Sequence, residues 1–139
     1  MKIAKNREEL SICLNSKTQI GFIPTMGALH DGHLSLVNES KVRGLTTVAS
    51  IFVNPTQFND PKDFEKYPIN TEADLEKLKS VGCEVVFLPD RQEIYPEGSE
   101  DFYVHDFGDL ETRFEGAFRP GHFKGVGQVV HTLFDLVKP

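Results

Sequence analysis

The 139-residue sequence contains no apolar run long enough to span a bilayer. Its start, Met1-Lys2-Ile3-Ala4-Lys5-Asn6, lacks the apolar core of a signal peptide. A cytoplasmic protein is the expectation. Cysteine is scarce: Cys13 and Cys83 stand far apart, with no Cys-x-x-Cys pattern, so neither a disulfide framework nor a thiolate zinc site is expected. Both lie among apolar neighbours, which predicts buried free thiols. Basic charge is in deficit, with 15 lysines and arginines against 21 acidic residues and a net charge of −6. That argues against a nucleic-acid binder, which normally needs a concentrated cationic face. A small anion remains possible, because a helix N-terminus alone can supply the donors. Repeats, low-complexity tracts and linkers are also missing, and the length suits one core.

The pattern that is present alternates helix and strand. Asn6 followed by Glu9 predicts a helix start, with Leu10, Cys13 and Leu14 on one face. Short apolar runs over 19–24, 46–53 and 84–88 predict buried strands, and 33–43 predicts a helix presenting Leu34 and Val37. Thr71 and Asp74 resemble a capping box before Leu75, Leu78 and Val81, with Gly82 as the stop. Val126, Val129, Val130, Leu133, Phe134 and Val137 mark a final helix by their three-and-four spacing. This order predicts an α/β domain, a Rossmann-like parallel sheet with flanking helices. An apolar helix of this kind is usually followed by another strand, so the sequence is expected to be a piece of a longer enzyme, truncated before its last strand. Two stretches break the pattern: 54–70, with Pro55, Pro61 and Pro68, and the glycine-rich, charged 110–124. Long irregular segments inside compact domains are often functional.

The strongest chemical signal is Pro24-Thr25-Met26-Gly27-Ala28-Leu29-His30-Asp31-Gly32-His33, between a predicted strand and helix. Ligands in open parallel sheets sit beyond the carboxyl ends of strands, where this turn falls. Gly27 and Gly32 permit tight turning and close approach. Free N–H groups of a helix starting near Gly32 would face a phosphate, and His30 and His33 could converge on it as imidazolium groups. The turn has no lysine, so it is not a Walker loop. The blander reading makes Asp31 the helix cap and leaves both histidines on the surface. A zinc pair is disfavoured, because no cysteine or acidic cluster completes a tetrahedron. Asn54-Pro55-Thr56-Gln57 is, on its own, a turn.

His30-Asp31-Gly32-His33 resembles the HxGH signature of the nucleotidylyl-transferring α/β superfamily. The longer PTMGALHDGHLSL string over 24–36 resembles pantothenate synthetases, the pantoate–β-alanine ligases. SIFVNPTQF (50–58), DFEKYP (63–68) and EGAFRPGHFKGV (115–126) follow in the same order. The resemblance implies a ligase that attacks the α-phosphorus of Mg-ATP with pantoate carboxylate, then passes the pantoyl group from the adenylate to β-alanine. It implies that Pro24 to His33 line the ATP site, with His30 and His33 on the phosphates and His33 as proton donor. Asn54, Gln57, Tyr67, Glu115, Arg119 and His122 would bound the pantoate and β-alanine positions, with Mg2+ accompanying ATP and no metal ligand in this chain. It further implies a homodimer, small-molecule substrates, and no nucleic-acid or membrane partner. Ile69 and Asn70 depart from the Arg-Thr that commonly follows Tyr-Pro in the family. Asp74 aligns with an aspartate that recurs in the family, although helix capping also explains it. The resemblance makes residues 1–139 an incomplete N-terminal Rossmann-like nucleotide-binding domain. The family's Gly-x-Lys-Asp-x-Gln-Gln segment is not among these residues, so the 139-residue chain alone is expected to have negligible ligase activity. Other HxGH transferases, or a non-catalytic ATP-binding or dimerising module, are the alternatives.

Overall fold

A computed structural model describes residues 1–58, 60–96 and 122–139. Four strands, β1 (Lys2–Ala4), β2 (Ile20–Thr25), β3 (Thr46–Ile51) and β4 (Val85–Phe87), form one sheet in the order β1-β4-β3-β2, and every pairing is parallel. The helices are α1 (Arg7–Leu14), α2 (Asp31–Val42), α3 (Pro61–Lys66), α4 (Thr71–Ser80), α5 (Arg91–Ile94) and α6 (His122–Val137). A short 3-10 turn, η1, covers Pro55–Gln57. No helix among the described residues is long and apolar enough to cross a membrane.

Side chains alternate across a strand, so β2, β3 and β4 each feed two cores, while β1 adds only Ala4 to one of them. Val48, Val85 and Phe87 join Leu10, Tyr95, Val129, Leu133 and Val137 on one face. Ala49 and Val86 join Ile23, Val37 and Leu78 on the other. The sheet is thus sandwiched, with α1, α5 and α6 on one side and α2 and α4 on the other. Burial on both faces explains why β3, Thr46-Thr47-Val48-Ala49-Ser50-Ile51, shows no alternation of apolar and polar residues.

The three expected strands are present within a residue or two. β1 was not expected from the sequence; its three residues are too few to show a period, and register with β4 makes it a strand. Asn6 caps α1 as its spacing predicts, with Oδ1 accepting the Glu9 N–H at 2.8 Å. The irregular 54–70 stretch holds η1 and α3, each with a proline in its first turn and an Asn or Asp cap, Asn54 and Asp60. Two expectations need correction. The cap of α4 is Asn70, accepting the Ala73 N–H at 3.1 Å, so Thr71 and Asp74 do not form a capping box. Cys83 is buried and free as expected, but Cys13 is only half-buried.

Candidate active site

β2 and β3 pair in register to their last residues, Thr25 opposite Ile51, and the Phe52 N–H continues the ladder to the Thr25 carbonyl at 3.0 Å. The loops leaving the two strands are therefore neighbours, although their motifs are some twenty residues apart. Between them lies a cavity of about 250 Å³. Pro24, Thr25, Met26 and His33 line it from the first loop and helix, Gln57 and Tyr67 from the second, and Val126, Val129, Val130 and Leu133 of α6 form an apolar wall with Phe52. The sheet thus gathers six residues of the predicted site around one space.

The first loop is held by its own polar groups. Thr25 Oγ1 donates to the Ser50 carbonyl at 2.8 Å and accepts the Gly27 N–H at 3.2 Å. Gly27 has φ +82°, and a Cβ there would sit 3.0 Å from Asp74 Oδ2, so both conformation and space require glycine. Ala28 follows at φ +51°, a conformation that costs an L-residue about 1–2 kcal/mol. Asp74, only 3% exposed, accepts the Ala28 N–H at 3.0 Å and the Leu29 N–H at 2.9 Å. Its carboxylate ties α4 to this turn, which replaces the capping role expected from the sequence. A lone acidic residue in a helical first turn carries no signal of such a long-range contact.

α2 begins at Asp31, and its cap is His30 in place of Asp31. His30 Nδ1 accepts the Gly32 N–H at 3.0 Å, while His33 Nδ1 accepts the His30 N–H at 3.1 Å. The two rings lie 4.0 Å apart. Gly32 makes room for this arrangement, since a Cβ would meet the His30 ring at 2.8 Å. An Nδ1 that accepts a hydrogen bond carries no proton, so each ring is a neutral Nε2–H tautomer. Desolvation, and then the neighbouring His30, lower the His33 pKa from its ordinary value, with Asp74 opposing them. The expected pair of imidazolium groups and open backbone donors is thereby corrected. The rings themselves take up these orphan N–H groups and present Nε2–H donors in their place.

The second loop turns on Asn54, which is fully buried. Its Oδ1 accepts from the Thr56 N–H at 3.3 Å, Thr56 Oγ1 at 3.0 Å and the Tyr95 hydroxyl at 2.8 Å. Its Nδ2 donates to the Gly125 carbonyl at 3.0 Å and to Gln57 Oε1 at 3.1 Å. Backbone groups fix both ends of the Asn54 amide, so Gln57 must turn its oxygen to Asn54 and its NH2 away. The Gln57 amide thus faces away from Asn54 with its donor end, where the sequence allowed both donor and acceptor. Asn54 itself organises the loop from beneath. Burial, and then Asp74, push the Tyr67 hydroxyl above its ordinary pKa, keeping it a neutral donor. The Tyr67 ring packs edge-on against Phe58 at 5.7 Å.

Ala28, His30 and Asp31 are exposed, whereas Leu29 is buried in the core. Glu115 and Arg119 lie outside the described residues, as does the side chain of His122. Among the described residues no group of three or more His, Cys, Asp or Glu side chains could hold a metal ion.

The family model for pantoate-beta-alanine ligase matches residues 1–139. The chain is 47% identical over 140 positions to a pantothenate synthetase of Thermodesulfovibrio yellowstonii, covering 100% of this chain and 49% of that protein. It is 50% identical over 121 positions to a pantoate–beta-alanine ligase of Schizosaccharomyces pombe, covering 87% of this chain and 43% of that protein. A crystal structure of pantoate-beta-alanine ligase from Francisella tularensis, complexed with beta-gamma ATP and beta-alanine, superposes with TM-score 0.94 at 41% identity, over 100% of this chain and 54% of that one. The chain spans about half the length of the curated relatives it matches.

Proposed function

The chain belongs to the pantoate–β-alanine ligase family, and we propose that it serves as the N-terminal nucleotide- and acid-binding domain of an enzyme joining pantoate to β-alanine at the expense of ATP. In the first step a pantoate carboxylate oxygen attacks the α-phosphorus, and the bond to pyrophosphate breaks. In the second the β-alanine amine attacks the acyl carbon of pantoyl adenylate, AMP departs, and the amine gives up a proton.

The observation that carries this reading is the single cavity shared by His33 and Gln57. One loop offers neutral Nε2–H donors at the start of α2. Their Nδ1 atoms hold backbone N–H groups, so the partial positive charge of the helix start reaches a triphosphate through the imidazoles. The other loop offers the Gln57 NH2, a donor suited to a carboxylate or hydroxyl oxygen and free of a charge that would repel or over-bind it. The apolar wall of α6 suits the hydrocarbon part of the acid and keeps water from the reacting carboxylate. His30, His33 and the rest of Pro24 to His33 thus form the nucleotide side, and Gln57 and Tyr67 the acid side, with Asn54 beneath them. Mg2+ would arrive on the triphosphate. There it would offset the charge of the phosphate oxygens. The assembled form under this reading is a homodimer, on the family resemblance.

The test is release of AMP and pyrophosphate with pantoate, with and without β-alanine, on the gene product and on these 139 residues. Release should require pantoate, fall at least about a hundredfold in His33→Ala and Gln57→Ala, and be negligible for the 139 residues alone. Pantoate-independent release, or full activity in both variants, refutes the reading.

A further inference from the structure

Asp74 has no part in the chemistry just described, yet it is among the most buried charged groups of the site. Its carboxylate makes no bond to the start of its own helix, where Asn70 already serves as cap. Both oxygens reach across to the loop after β2, bonding two consecutive N–H groups at 3.0 and 2.9 Å. One turn further along α4, Lys77 Nζ donates to the Leu29 carbonyl at 2.8 Å. Three hydrogen bonds from one helix therefore grip two residues. Those residues, Ala28 and Leu29, run from the second member of the left-handed pair Gly27–Ala28 up to His30. Ala28 at φ +51° is the strained member, and its N–H is one of the two the carboxylate holds.

We propose that Asp74 is a positioning residue: from α4 it clamps the Gly27–Ala28 turn in its left-handed form and so sets where His30 and His33 meet a nucleotide. This rests on the nucleotide reading of the turn. The sign of its effect separates the proposal from a simpler electrostatic role. A buried negative charge beside a polyanion site opposes binding by charge alone. If charge dominated, neutralising Asp74 would tighten ATP. If geometry dominates, neutralising it loosens ATP, because Asn presents one acceptor and one donor to two N–H groups and leaves one of them unsatisfied.

The experiment uses Asp74→Asn in the 139-residue chain with two readouts. Amide hydrogen exchange at Ala28 and Leu29 is expected to accelerate by about tenfold or more, the loss of one buried hydrogen bond. The dissociation constant for Mg-ATP should rise by about tenfold, while that for pantoate, held by the other loop, stays within about twofold. Lys77→Met, which leaves the carboxylate in place, should change exchange at the same amides far less. If Asp74→Asn is too unstable at the assay temperature, the same measurements are made in about 1 M sucrose, which strengthens burial. Unchanged exchange, or tighter ATP binding, overturns the proposal, as does an equal loss for both ligands, which marks general loosening. Failure of the unaltered chain to bind ATP would instead sink the nucleotide reading, and the exchange readout alone would then decide whether Asp74 clamps the turn.

Discussion

Gly125 opposes two well-characterised effects, and the structure states which should win. It lies in the first turn of α6, where alanine is ordinarily better by up to about 1 kcal/mol. A Cβ at this position, however, would fall 2.5 Å from the Thr56 carbonyl oxygen, 2.7 Å from its carbon and 3.0 Å from the Gln57 nitrogen. All three are backbone atoms of η1, which cannot rotate away as a side chain would. α6 and η1 must separate by several tenths of an ångström, an overpacking cost of about 2 kcal/mol. The separation also stretches the Asn54 Nδ2 bond to the Gly125 carbonyl, now 3.0 Å, for about 1 kcal/mol more. Subtracting the propensity gain leaves Gly125→Ala destabilised by about 2 kcal/mol, or roughly 7 °C of melting temperature for a chain of this size. Thermal and urea unfolding followed by circular dichroism measure it. A melting temperature equal to or above that of the parent would refute the reasoning, because the helix–turn approach would then be slack. Asn54→Ala combined with Gly125→Ala should cost less than the sum of the two, since both weaken one bond.

Three further outcomes follow from the same geometry. His33 titrates below its ordinary 6.5 in the folded chain, so the unfolded chain binds the extra proton first as pH falls. Its contribution is whole above about pH 6.5 and is lost as pH falls from there toward the folded pKa; melting temperatures across that window should drop more steeply for the parent than for His33→Ala, and parallel curves would contradict this. Asn54→Ala removes at once the side-chain bonds to the Gly125 carbonyl, the Thr56 N–H and the Tyr95 hydroxyl, for about 3 kcal/mol, whereas Tyr95→Phe removes only the phenolic hydroxyl, for about 1 kcal/mol; chemical denaturation giving equal losses would show that Asn54 is not the hub. Burial raises the Cys83 thiol pKa, so a thiol-specific disulfide reagent should modify Cys13 first and Cys83 only on unfolding, with mass spectrometry identifying the site.

The sequence was informative wherever local chemistry dominates. Short runs rich in apolar and β-branched residues marked β2, β3 and β4, the spacing of valines and leucines marked α6, and Asn6 with Glu9 marked the start of α1. The two halves of the site were also legible as motifs, His30 to His33 and Asn54 to Gln57. What joins them was not. Nothing in a linear string shows that β2 and β3 end in register, or that Gly125 approaches Thr56 across some seventy positions. The spacing of Asp74 from Thr71 satisfies the local rule for a cap, while its actual partners, Ala28 and Leu29, are reached only when α4 packs beside the turn. The protonation state of the histidines was misjudged for a related reason. Charge suits a phosphate, but here each Nδ1 is already committed to a backbone N–H.

That commitment gives each imidazole two simultaneous occupations, one inward and one outward. Deleting a ring by alanine ends both, so a dead variant could have lost its ligand contact or merely begun its helix in the wrong place. Asparagine at position 30 pulls the occupations apart: its short side chain still serves as a helix cap, yet it cannot reach as far as Nε2. A His30→Asn chain that keeps its helix and loses its nucleotide would assign the outward atom its role; one that keeps both would show that the inward bond is the whole of what this histidine does.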